Sequence, residues 1–150
     1  LAERKKEVHD IDLIALAEEE IMTIKPIYTL EYFHIISGSS TIPSATVRLK
    51  KDNKIIEDAS RGDGPVDALY KAIDRITKLS PVLKEYKINA ITGGKDAQGE
   101  VSVTLEINGI TVYGKGVSTD IIEASAKAYI NAINFYLVRK DIKKKVIKGA

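Results

Sequence analysis

The stretch Arg61-Gly62-Asp63-Gly64-Pro65-Val66-Asp67-Ala68-Leu69-Tyr70-Lys71-Ala72-Ile73 decides how this chain folds. A polar strand end runs into two glycines, a proline and then apolar residues at helical spacing, so the backbone must turn sharply and start a helix. Proline suits the first helical position, because its missing N–H would have no partner there and its φ is already helical. Gly64 therefore reads as the N-cap and Pro65 as the first helical residue. Glycine on either side of Asp63 lets a ligand approach main chain closely, and the free N–H groups of a first turn favour a carboxylate or phosphate. The same residues also suit a plain strand-to-helix turn with no guest.

Upstream of the turn the apolar period is two. Leu30, Tyr32, His34 and Ile36 alternate with Glu31, Phe33 and Ile35, and a second strand sets Ala45, Val47 and Leu49 against Thr46, Arg48 and Lys50. Asp52-Asn53 makes a hairpin turn into a third strand from Lys54 to Ala59. Downstream, Val66, Leu69, Ile73 and Ile76 form one helical stripe that Ser80-Pro81 ends. Moving every position by 54 residues lays the second half on the first, with Tyr32 on Tyr86, Gly62 on Gly116 and Ala72 on Ala126. Each half reads strand, strand, strand, helix. The expected fold is α+β: two βββα units, 28–80 and 82–138, inside a domain of 28–140, after a charged helical linker (1–24) and before a basic tail (141–150). Ser118 stands where Gly64 stands and is expected to cap the second helix, with Asp120 favouring its dipole. Phe33, Ile35, Tyr113, Tyr136 and Leu137 are more apolar surface than one such small domain leaves wet, which predicts a homodimer.

Bulk composition narrows the function classes. With 150 residues, 44% hydrophobic and 29% charged, the chain has the make-up of one globular domain. It has no cysteine, which removes disulfides, thiol catalysis and thiolate metal sites and suits a cytoplasmic protein. No apolar run approaches bilayer length. A net charge of +2 is too small to predict a nucleic-acid partner, and Asp63 and Asp67 would repel phosphate, so an RNA-binding αβ module stands only as the alternative from another class. His9 beside Asp10 and Asp12 reads as an exposed helix start, and His34 as an interface or core histidine. Two distant histidines and no convergent carboxylate pair leave no residue to assign as catalytic and none as a metal ligand.

Three motifs in order carry a resemblance. The Gly-Asp-Gly-Pro-Val-Asp-Ala turn, the loop Thr92-Gly93-Gly94-Lys95-Asp96-Ala97-Gln98-Gly99-Glu100-Val101 and the run from Gly114 to Tyr129 together resemble the C-terminal regulatory domain of the 2-isopropylmalate synthase and citramalate synthase family. Leu1 to Val8, with Asp12-Leu13, is similar to the linker that precedes that domain, and the abrupt start at Leu1 fits the severed end of a longer chain. The resemblance implies a parent acyltransferase whose catalytic barrel, with its acetyl-CoA and divalent metal, lies outside these residues. It implies that this part dimerises and binds the end product, leucine or alternatively isoleucine, with the motifs leaning toward leucine. The effector contacts it implies are Gly62, Asp63, Gly64, Pro65, Val66 and Asp67 at the turn, with Tyr86, Ala90, Asp96, Ala97 and Gln98 on the other half. Tyr86 reads equally as a core tyrosine at the sheet edge, Gln98 as a hairpin approach, and Asp67 as a dipole partner that touches nothing.

Overall fold

The computed structural model describes the backbone of residues 26–90 and 97–149, and side chains as far as residue 142 with Ala90 excepted. The linker expected over 1–24, with His9, lies outside the described residues. Two three-stranded antiparallel sheets follow one another, each with one helix, so the α+β fold of two βββα units is what the chain forms. The first unit is β1 (Thr29–Gly38), β2 (Thr41–Lys51), β3 (Lys54–Arg61) and α1 (Pro65–Thr77). The second is β4 (Val82–Ala90), β5 (Gly99–Ile107), β6 (Ile110–Ser118) and α2 (Ile121–Gly149). The basic run that the sequence sets apart as a tail continues α2 through Gly149.

Both central hairpins turn on residues with positive φ, Asp52 and Asn53 in one and Asn108 and Gly109 in the other, as tight two-residue turns between twisted strands require. In β1 an irregularity between Leu30 and Tyr32 shifts the alternation, so Leu30, Phe33 and Ile35 share the inner face opposite Leu49, Val47 and Ala45. His34 is thereby exposed on the outer face, not held in a core. α1 ends at Thr77, ahead of the proline, because Lys78 takes a left-handed conformation (φ 60°) and returns its N–H to the Asp74 carbonyl.

The pairings correct the offset between the halves. Pro65 and Ile121 both open a helix, 56 positions apart, whereas Phe33 and Tyr86 occupy the same place in β1 and β4, 53 apart. From the paired position on the first strand to that on the second, Phe33 to Val47 and Tyr86 to Val103, the chain is three residues longer in the second unit, and a single shift of 54 averages across that insertion. Tyr86 is therefore the counterpart of inward-facing Phe33, and Tyr32 lies on the outer face beneath the Arg48 guanidinium.

Both helices pack into one core, α1 over β2 and β3, and α2 over β5, β6 and β1. A Cβ on Gly114 would stand 2.1 Å from the Ala128 carbonyl, and one on Gly116 2.2 Å from that of Ala124, so the α2 backbone rests directly on β6. The alanine stripe of α2 is what this close approach needs. Tyr136 is buried in this core, contrary to its expected place on the surface, and Phe33 and Ile35 are half covered. Tyr113 is 47% exposed, as expected, and further apolar surface is left open on β4. Leu83 and Ile88, on the inner face of β4, are 44% and 52% exposed, because α2 lies over β5 and β6 and α1 is too short to cover β4.

Candidate functional site

The two helices lie side by side and advance in the same direction. Tyr70 donates its hydroxyl to the Ser125 carbonyl at 2.9 Å, its ring stacks on Tyr129 with centroids 3.8 Å apart, and one turn further Asp74 accepts from the Tyr129 hydroxyl at 2.6 Å. Both helix starts therefore face the same end of the molecule, along with Gly99 at the start of β5, where a Cβ would meet Ile121.

At the first start, Gly64 is the N-cap with extended backbone and no side-chain cap, and Pro65 is the first helical residue. Gly62 closes the end of β3 by donating to the Pro43 carbonyl at 3.0 Å, and Ala68 donates back to Gly64. A Cβ on Gly62 would lie 2.3 Å from the Ala68 nitrogen, so only glycine lets α1 return so tightly over its own strand. Gly64 is different, since none of the described residues comes within 4 Å of where its Cβ would be. Asp67 does touch something. Its Oδ2 accepts from the Asp63 amide at 2.8 Å and pairs with Lys71 at 3.0 Å, and these two partners hold its carboxyl below the usual carboxylate range. The amides of Val66 and Asp67 have no acceptor among the described residues, as expected for a helix that opens without a capping side chain.

The second start is closed by its own residues. Asp120, and not Ser118, is the cap: its Oδ1 accepts from the Ile122 amide at 2.9 Å, and its carbonyl accepts from Ala124. Ser118 sits two residues earlier, where its hydroxyl accepts from the Asp120 amide at 3.1 Å. An aspartate at N-cap supplies within the chain the side-chain acceptor for helix amides that the first helix start lacks.

Among the other expected contacts, Tyr86 is half-buried and its hydroxyl lies 2.6 Å from Ser125 Oγ, which itself donates to the Ile121 carbonyl. Tyr86 thus belongs to the contact between β4 and the first turn of α2. Ala90 ends β4, Ala97 and Gln98 precede β5 with exposed side chains, and Asp96 lies outside the described residues. The turn and Tyr86 are brought to one end of the fold through Tyr70 and Ser125, and two recesses are lined by described residues. One, of about 510 Å³, is lined by Ser44, Thr46, Ser60, Arg61 and Arg75, and the other, of about 300 Å³, by Ile110, Tyr113, Phe135 and Arg139.

Sequence reasoning missed the polar seam itself: Tyr70, Asp74, Ser125 and Tyr129. The available signal was a serine and a tyrosine four residues apart within an alanine-rich stripe, where a packed helix face would otherwise be apolar. No group of three or more histidine, aspartate or glutamate side chains that could hold a metal occurs among the described residues, and none of the described helices is long and apolar enough to cross a membrane.

These features define a duplicated βββα module with one helix start closed and one open. Residues 7–137 match the family described as the LeuA allosteric (dimerisation) domain, and the chain belongs to that family. It is 61% identical over 136 residues to a 2-isopropylmalate synthase of Carboxydothermus hydrogenoformans, covering 89% of this chain and 26% of that protein. The 2-isopropylmalate synthases of Pelotomaculum thermopropionicum and Heliobacterium modesticaldum are 53% and 54% identical, each over 89% of this chain and 27% and 26% of theirs. The chain spans about a quarter of the length of these relatives.

Proposed function

We propose that this chain is the effector-binding and dimerising part of a 2-isopropylmalate synthase, with leucine as feedback inhibitor. The parent protein would be an acetyl-CoA-dependent acyltransferase, its metal and catalytic groups lying in a part of the protein outside this chain. The observation that carries the reading is the uncapped start of α1. Two amides with no acceptor among the described residues, beside an N-cap glycine that none of those residues crowds, form a seat for a carboxylate, and Asp63, exposed at the same turn, is the available partner for an ammonium. A buried zwitterion needs both, since an unpaired ion costs kilocalories. Val66 and Ala97 would supply small apolar contacts. Isoleucine is the alternative occupant, because one displaced methyl in an apolar pocket changes affinity by only about 1–3 kcal/mol.

Dimerisation follows from the family and fits the uncovered inner face of β4. A second copy laid over Leu83 and Ile88 would complete a layer that α1 leaves unfinished, close to where Tyr86 and Ala90 lie.

Calorimetric titration and thermal unfolding of the chain with leucine and with isoleucine test the reading. Leucine at one hundred times its dissociation constant should stabilise the fold by about 2.7 kcal/mol. Gly64→Val should fold normally, because its extended backbone accepts a branched residue and none of the described residues crowds its Cβ, yet lose the leucine effect. Absence of heat and of thermal shift with either amino acid at millimolar concentration would overturn the assignment.

A further inference from the structure

The contact between the two halves contains a carboxylate with no counter-ion among the described residues. Asp74 is half-buried on α1, and none of the ion pairs among the described residues includes it. Its one side-chain partner is the Tyr129 hydroxyl of α2 at 2.6 Å, and Tyr129 is itself buried and stacked on Tyr70. The charges around it are otherwise committed. On its own helix Lys71 is held by Asp67 and Arg75 by Asp58, while Lys78 is exposed beyond the helix end. The inner face of the sheet below α1 brings Asp58, already paired, and Lys51 and Lys54 at the far hairpin. From α2 the facing group is Tyr129.

We propose that Asp74 and Tyr129 form a proton-sensitive clasp between the two βββα units, tighter in acid than at neutral pH. The physical cause is burial. An ionised carboxylate half-buried here loses water and gains in exchange a single hydrogen bond from an uncharged donor, so the neutral acid suits the site better. Burial, with Asp67 adding its negative charge, pushes the Asp74 carboxyl up from 3.8 to about 6, although the Tyr129 hydrogen bond opposes the rise. Because the folded chain holds this proton more tightly than the unfolded one, the stabilisation is complete below about pH 4 and is lost as pH rises to about 6. The clasp joins the helix that begins at the open turn to the helix on which Tyr86 leans, so it governs how firmly both parts of that end are held together. It does not depend on what the turn binds.

Two measurements test the clasp. Carboxyl NMR of the chain should show Asp74 titrating near pH 6, and Tyr129→Phe, which removes the opposing hydrogen bond, should move that midpoint upward. In denaturant unfolding, the ratio of the folding constants of the parent chain and Asp74→Asn should change roughly fiftyfold between pH 4 and pH 7, the parent gaining in acid. Taking the ratio cancels the opposite pH trends of Asp58 and Asp67. A midpoint at or below pH 4, or parallel unfolding curves for the parent and Asp74→Asn, would overturn the proposal. Failure to bind leucine would leave these readings intact and count only against the effector assignment.

Discussion

The turns before α1 and α2 do the same structural work with opposite chemistry. Before α2, Ser118 and Asp120 turn their side chains back onto the backbone and satisfy amides that would otherwise face solvent. Before α1 the equivalent places are glycines, and the one carboxylate that bends back, Asp67, reaches only the Asp63 amide outside the helix. A duplicated unit can give up a cap in one copy while the other keeps it, and the copy without one is where the proposed effector's carboxylate would sit.

The contrast can be broken most forcefully at Gly62. Gly62→Ala would push a methyl group into the Ala68 amide, and we expect a loss of about 2–4 kcal/mol as the start of α1 is displaced, read as a fall in the denaturant midpoint. An unchanged midpoint would mean that the turn is looser than its contacts. Next in size is Asp120→Ala, which removes the cap of α2 and should cost about 1 kcal/mol, with no comparable loss available at uncapped Gly64. The smallest effect should come from Asp67→Asn. Because its carboxyl is held low, Asp67 contributes stability above the unfolded-state pKa near 4 and loses it as pH falls through the lower folded value. The pair with Lys71 is exposed, so the cost at neutral pH should be a few tenths of a kcal/mol and vanish in strong acid. A cost that persisted in acid would assign Asp67 a role other than charge.

Much of this architecture is legible in the residues because its signals are local. The proline-led helix start, the two hairpin turns and the alternation of β2 and β5 each depend on neighbours a few residues apart. What escaped depends on distance or on an insertion. The irregularity after Leu30 inverts the alternation of β1, so Tyr32 and Tyr86 match as letters while facing opposite sides of their sheets. Ser118 and Asp120 are both competent caps, and the three extra residues from Tyr86 to Val103 hide which one aligns with Gly64. The candidate site was half legible. The open turn is a property of one short stretch, whereas the Tyr70, Ser125 and Tyr86 contacts join residues up to 55 positions apart and have no local signature.

The stacked pair at the helix seam also gives the molecule its own optical gauge. The chain has seven tyrosines and no tryptophan, so its near-ultraviolet circular dichroism comes almost wholly from phenols. Two of those rings are coupled face to face at 3.8 Å, one from each half. Any slippage of one half against the other would therefore change the spectrum without a dye or a label, and the same cuvette could follow effector, acid and denaturant in turn.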